Sequence, residues 1–350
     1  MQLLKRLCEA PGISGCENPI TDIVQEELQN VCDSVELDRL GNVIALKKAN
    51  SKEGCPQPKK VMLAAHMDQI GFLVKSIDQN GFIRFAAVGG FDPKTLVAQR
   101  VAIHGKKRVI GVIGSKPIHV LTEEEKKKAL EMKDFFIDVG LGKEEVEAII
   151  QQGDAITFDR DFVQLNDQAV TSLALDNRAG VYVLIEAMRR VKEHQVDIYA
   201  VATSQEEVGL RGAVTSSYAI EPDFGIALDV TVAMDTPGIK EEEKVCVLGK
   251  GTAIAVMNSS MLAHRGLYQF LKDLAEKNNI KYQLDIMERG GTDAGAIQKS
   301  RRGVISGGIS IPTRYIHSVV ELCRIDDLEA SIQLLVSFLE NVHLADFYNL

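Results

Sequence analysis

The dominant pattern along the chain is a set of short apolar runs that each give way to polar chemistry. Residues 61–65 (VMLAA), 170–175, 198–202 (IYAVA), 224–228 (FGIAL) and 304–311 have the aliphatic, β-branched content of strands buried on both faces. Between them, 181–191, 213–218, 266–277 and 325–342 place apolar residues at helical spacing, as do 1–8 and 20–31 at the start. Alternation through Gly41-Asn42 predicts a hairpin over 35–46, and residues 51–60 (SKEGCPQPKK) read as a polar loop.

From Gln69 the character changes. Residues 71–77 and 82–87 flank Asp78-Gln79-Asn80-Gly81, a hairpin signal. A second hairpin is predicted over 101–113, turning at 105–107, with further strands at 135–139 and 155–158. Residues 123–133 (EEEKKKALEMK) set acids before bases and predict a short exposed helix. A strand-rich block thus interrupts a chain of alternating strands and helices. The expected organisation is a discontinuous α/β domain over 1–68 and 166–350, with a small β domain inserted over 69–165.

Composition narrows the functional classes. The chain has 350 residues, 45% of them apolar and 25% charged, which suits a globular protein of two domains. A net charge of −9 argues against nucleic acid or an anionic membrane as the main partner. The six cysteines form no CxxC pair or regular framework and read as reduced thiols of a cytoplasmic protein. The opening MQLLKRLCEAPGISG lacks the uninterrupted apolar core of a signal peptide. No apolar run approaches the roughly 20 residues that span a bilayer.

Five of the predicted strands lead into a residue able to bind a divalent metal: His66, Asp176, Glu207, Asp229 and His317. Strands sharing one direction in one sheet would bring these side chains to a single crevice at the carboxyl edge. Two imidazoles and three carboxylates form a mixed nitrogen and oxygen set suited to Zn²⁺, with Co²⁺ or Mn²⁺ as other occupants. Five ligands exceed the three of one catalytic zinc, and a carboxylate shared between two ions would account for the excess. Asp68, two residues past His66, is placed to orient the imidazole. Of the adjacent Glu206 and Glu207, one is expected to hold metal and the other to act as general base. The glycines that follow, Gly209 and Gly212, permit tight backbone paths. Taken singly, each residue has a plainer reading: a surface or core histidine, a helix cap at Asp176-Asn177, a turn at Asp229. His104, His119, His194 and His264 are left in that class. No GxSxG elbow occurs, and no thiol lies near the strand ends, so covalent catalysis has little support.

Several motifs, in order along essentially the whole chain, resemble the M42 family of metallo-aminopeptidases. They are His66-Met67-Asp68, residues 174–180 (ALDNRAG), 205–213 (QEEVGLRGA), 227–231 (ALDVT) and Arg314-Tyr315-Ile316-His317. Residues 11–17 (PGISGCE), 235–238 (DTPG) and 290–296 (GGTDAGA) look like further family segments. The resemblance implies a phosphorylase/hydrolase-like α/β/α catalytic domain with an inserted, β-barrel-like dimerisation domain. It implies that Asp176 bridges two divalent ions, one completed by His66 and Asp229 and the other by Glu207 and His317. Glu206 would be the base, Asp68 the orienter of His66, and Asp293 the candidate for binding the substrate α-amine. Peptides would be the substrates, and the chains would assemble as dimers into a tetrahedral dodecamer. One departure is Gln69, where the family often has Glu after the HxD motif. Two other classes remain: a glycosidase working with paired carboxylates, and a non-catalytic scaffold stabilised by metal. Glu206 argues against the scaffold, which has no use for a base.

Overall fold

The computed structural model describes residues 1–50, 57–345 and 347, so residues 51–56 of the expected polar loop lie outside the described residues. The strands, in chain order, begin with β1 (Ser34–Leu37), β2 (Val43–Lys47) and β3 (Lys60–His66). Next come β4 (Gly71–Ile77), β5 (Ile83–Val88), β6 (Arg100–His104), β7 (Arg108–Gly114), β8 (Phe136–Asp138) and β9 (Ala155–Phe158). The last group is β10 (Val163–Asn166), β11 (Ala169–Ser172), β12 (Asp197–Thr203), β13 (Phe224–Val232), β14 (Thr252–Met257), β15 (Tyr282–Ile286), β16 (Ile305–Arg314) and β17 (Glu321–Arg324).

Among the described residues, eleven strands form one sheet with the order β1-β2-β12-β3-β13-β16-β17-β11-β10, with β14 attached to β16 and β15 to β14. Its centre, β12-β3-β13-β16, is parallel. β17 runs antiparallel to both β16 and β11, so β11 shares the direction of the parallel strands. The alternation in β3 shows why the sheet is covered on both sides. Val61, Leu63 and Ala65 point into the larger core with helices Leu175–Arg190 and Ile325–Asn341. Met62 and Ala64 point into a second core with Ala213 and Ile220 of helix Arg211–Ile220 and Ile297 of helix Ala294–Gln298. The result is an α/β/α sandwich.

The six strands between β3 and β10 close into a barrel of order β4-β5-β8-β7-β6-β9. Its interior is built on Phe72, whose ring centroid lies 4.8, 4.5 and 5.5 Å from those of Phe85, Phe91 and Phe158. Leu173, Ala174 and Val319 of the larger unit pack into the same apolar cluster. The barrel core is therefore continuous with the chain just before Asp176 and just after His317.

Three elements depart from the sequence reading. The helix expected over 123–133 shrinks to Glu123–Lys126, held by a capping box between Thr122 and Glu125. None of its residues is buried, and a helix that packs against nothing is not sustained at this length. In its place a helix that the pattern did not suggest forms at Lys143–Ile149, anchored by the buried Val146. β13 also continues past the apolar run 224–228, paired with β16 as far as Val232, so Asp229 lies within a strand rather than after one. Among the described residues no helix is long and apolar enough to cross a membrane.

The barrel core makes a direct test. Phe72→Ala should lower the unfolding free energy by about 3–5 kcal/mol, measured by urea denaturation. A loss under about 1 kcal/mol would show that the ring cluster does not hold the barrel.

Candidate metal centre

At the carboxyl edge of the parallel strands lies a cavity of about 470 Å³ lined by His66, Asp176, Glu206, Glu207, Asp229 and His317 on its polar side. Leu210, Val230, Val232, Met287 and Ile316 form its apolar wall, with Arg289, Gly290 and Gly291 beside them. All five residues expected to bind metal thus meet in one place, together with Glu206.

Each is delivered by a different route. His66 is the last residue of β3, and Asp229 sits within β13, the neighbouring strand. Asp176 follows β11 by four residues, where helix Leu175–Arg190 begins with non-helical backbone at Asp176 and Asn177. Glu206 and Glu207 follow β12 in a turn closed by Gly209 and Leu210, with φ of 123° and 57°. Helix Arg211–Ile220 then starts against the strand end. A Cβ on Gly212 would come within 2.2 Å of Asn42 Oδ1 and 2.5 Å of Ser204 O, so only glycine allows this approach. His317, past β16, adopts a left-handed conformation with φ of 60°.

The side chains form two overlapping clusters. His66 Nε2 stands 3.2 Å from Asp176 Oδ1 and 3.6 Å from Asp229 Oδ1. His317 Nε2 stands 3.4 Å from Asp176 Oδ2 and 3.4 Å from Glu207 Oε2. The two oxygens of Asp176 therefore face opposite ways, one toward each cluster. Within each cluster the candidate ligand atoms lie within 4.8 Å of one another. Donors bound at about 2.0–2.2 Å around one tetrahedral ion stand ~3.3–3.6 Å apart, so the separations suit a divalent cation in each cluster. Glu206 Oε2 lies 3.9 Å from His66 Nε2, just outside the first cluster.

The electrostatics agree with the donor set. Burial, then the adjacent Asp176 carboxylate, push Glu207 up to about 8 despite the pull of His317 and His66. Burial also drives Glu206 well above its ordinary range, with the charges of Asp229, Asp293 and Glu207 adding to it and His66 opposing. Asp229 is raised by burial and by Asp176. Burial would depress both imidazoles, but Asp176 and Glu207 lift His317 to about 9, and Glu206, Asp176 and Asp229 lift His66 well above its ordinary value. Asp176 behaves oppositely: burial would raise it, but the bonds from His317 and His66 outweigh this and hold it below the usual carboxylate range. Crowding of Glu206, Glu207 and Asp229 out of water is a cost that divalent cations would offset.

Asp68 does more than sit beside His66. The His66 Nδ1 lies 3.1 Å from the Asp68 backbone carbonyl and 3.5 Å from its carboxylate. The carboxylate itself accepts the Ser14 hydroxyl at 2.6 Å and the backbone N–H groups of Glu206 and Glu207 at 3.0 and 3.1 Å. Asp293 is set behind the cavity lining, fully buried, and accepts a hydrogen bond from the Thr203 hydroxyl. Burial raises it to about 7.

Sequence reasoning missed three supporting groups. Ser14 reaches Asp68 from the loop before the second helix. Asp235 grips Arg314 through two bonds of 2.7 Å each, fixing the chain just before His317. Glu321 accepts the Asp176 N–H at 2.9 Å and the His317 N–H at 2.8 Å. Its only sequence signal is its place four residues past His317.

The chain is similar to known proteins along nearly its whole length. The family model described as M42 glutamyl aminopeptidase matches residues 41–334. A lysyl aminopeptidase of Pyrococcus furiosus is 39% identical over 99% of this chain and 98% of its own length. A TET aminopeptidase from a marine sediment archaeon, Thaumarchaeota archaeon SCGC AB-539-E09, superposes with a TM-score of 0.94 at 38% identity, covering 98% of this chain and 96% of that one. The TET1 peptidase of Pyrococcus horikoshii, described as assembling into a tetrahedron or a large octahedral shell, superposes with a TM-score of 0.84 at 32% identity, covering 97% of this chain and 98% of that one.

The Asp68 contacts predict a stability effect independent of any metal. Asp68→Asn leaves one of the two glutamate amides facing an NH₂ group, and should cost about 1–3 kcal/mol in denaturant unfolding of the metal-stripped chain. Unchanged stability would show that the carboxylate does not hold the Glu206–Glu207 turn.

Proposed function

Because the chain belongs to the M42 glutamyl aminopeptidase family, whose members are metal-dependent hydrolases, we propose that it removes N-terminal residues from peptides with two divalent ions held around Asp176. The observation that carries this reading is Asp176 itself, with one carboxylate oxygen 3.2 Å from His66 and the other 3.4 Å from His317. His66, Asp176 and Asp229 would hold one ion, and Asp176, Glu207 and His317 the other. The imidazole and carboxylate set favours Zn²⁺, with Co²⁺ or Mn²⁺ able to replace it.

When bound, such a pair supplies Lewis-acid polarisation of the scissile carbonyl and makes water acidic enough to lose a proton near neutral pH. Glu206 Oε2 stands beside the first cluster without being part of it, which supports its role as the base. Its carboxylate takes the proton of the attacking water and delivers it to the nitrogen of the departing amine. Desolvation suits that duty, because a buried carboxylate holds a proton more firmly than an exposed one. Asp68 fixes the Glu206 and Glu207 amides and braces His66. With Asp293 set behind the lining, the α-amine of the substrate falls to carboxylates that face the cavity. The apolar wall of Leu210, Val230, Val232, Met287 and Ile316 then encloses the first side chain and excludes water from it.

The inserted domain, taken as residues 69–165, is proposed as the dimerisation element of a cytoplasmic homo-oligomer, with a tetrahedral dodecamer as its assembled form. Support comes from Ile118 and Val120, which are 63% and 60% exposed within that segment, and from the shells formed by the TET1 peptidase. The glycosidase alternative is not favoured, since paired carboxylates for that reaction need neither the two histidines nor the shared aspartate.

Two variants separate the roles. Glu206→Gln should keep the full complement of bound metal while turnover of aminoacyl-anilides falls by 10² or more. Turnover close to wild type would reject the base assignment. His317→Ala should lower metal content measured by atomic emission, and unchanged stoichiometry would remove His317 from the ligand set.

A further inference from the structure

Among the described residues, Glu321 is the one buried carboxylate that accepts backbone N–H groups from the two segments carrying Asp176 and His317. It is the first residue of β17 and is 2% exposed. In the sheet it sits opposite Ser172, the last residue of β11, four positions before Asp176. His317 lies four positions before Glu321 on the other side. The carboxylate thus stands between the two loops that carry Asp176 and His317. It takes the N–H of Asp176 on Oε2 at 2.9 Å and the N–H of His317 on Oε1 at 2.8 Å.

We infer that Glu321 is a positioning residue that sets the spacing between Asp176 and His317, and so controls the affinity of the second metal site, where it holds two ligands, more than that of the first, where it holds only the shared Asp176. The inference rests on the two-ion reading above. A carboxylate is rigid and planar, so two amides bonded to its two oxygens are held at a fixed separation and direction. His317 needs such a fixture. Its loop is exposed, with Tyr315 and Val320 each 50% exposed, and both Tyr315 and His317 hold left-handed backbone that non-glycine residues occupy sparsely. Upstream, the loop is anchored by the Asp235–Arg314 pair. Among the described residues its downstream anchor is Glu321, together with Val319 in the barrel core. The first site is held differently. His66 and Asp229 lie on adjacent parallel strands at the sheet centre, and neither bonds to Glu321. Losing the fixture should therefore loosen the second site, which loses the placing of both Asp176 and His317, far more than the first, which keeps His66 and Asp229 in place.

Glu321→Gln is the informative change. It keeps the volume and one acceptor oxygen but turns an NH₂ toward the second amide. Supporting groups around metal ligands typically change affinity by about 10–100-fold. Calorimetric titration of the metal-stripped protein with Zn²⁺ should give two classes of site in the wild type. In the variant one class should weaken by about 10–100-fold, the same class that His317→Ala abolishes, while the other stays within about threefold. Circular dichroism of the metal-free variant checks that the fold is kept; Glu321→Asp, whose shorter arm reaches only one amide, serves if the Gln form is insoluble. Equal weakening of both classes, or no weakening of either, would overturn the inference while leaving the two-ion reading intact. A wild-type titration with only one class of site would overturn both.

Discussion

Placing several carboxylates beside one another out of water is the constraint on which the rest of this structure depends. Asp68, Asp176, Glu206, Glu207, Asp229 and Asp293 gather at one sheet edge with two imidazoles. An uncompensated buried charge costs several kcal/mol, so such a group persists only if something pays it back. Backbone amides do part of this: Asp68 receives those of Glu206 and Glu207, and Glu321 receives those of Asp176 and His317. Divalent cations between His66, Asp176, Asp229, Glu207 and His317 would do the remainder. The two clamps are alike in form, each a buried carboxylate tying together backbone that carries side chains of the centre.

The scaffold follows from the same need. Parallel strands let β3, β12, β13 and β11 deliver polar residues to one edge while their apolar bodies stay buried between helix layers. The inserted barrel closes the site from the side. Leu173, Ala174 and Val319 join its core, and an atom built on Gly90, just past β5, would lie 3.4 Å from His317 Nδ1. Barrel, His317 loop and Asp176 turn therefore form one packed region, and disturbing any of them reaches the cavity.

Much of this was legible in the sequence because it depends on period and position. Apolar runs that give way to His66, Asp176, Glu207, Asp229 and His317 signal a shared edge, and the Asp78–Gly81 turn marks the hairpin of β4 and β5. What escaped depends on contacts across the chain. Glu321 and Ser14 act on backbone amides and on another side chain, and neither role leaves a periodic trace. The Asp235–Arg314 pair joins residues 79 apart. Asp293 lies in a glycine-rich segment that does reach the cavity at Gly290 and Gly291, yet its own carboxyl turns inward to Thr203. Charge order alone, without an apolar face, does not sustain a helix over 123–133. The Lys143–Ile149 helix leaves little periodic trace because only Val146 is buried within it.

The central claim is that Asp176 is shared between two cations. Anomalous diffraction from crystals of zinc-reconstituted protein, recorded on both sides of the zinc edge, tests it most directly. The account predicts two peaks about 3.5–4 Å apart, one on each side of the Asp176 carboxylate. A single peak, or two that do not have Asp176 between them, would contradict it.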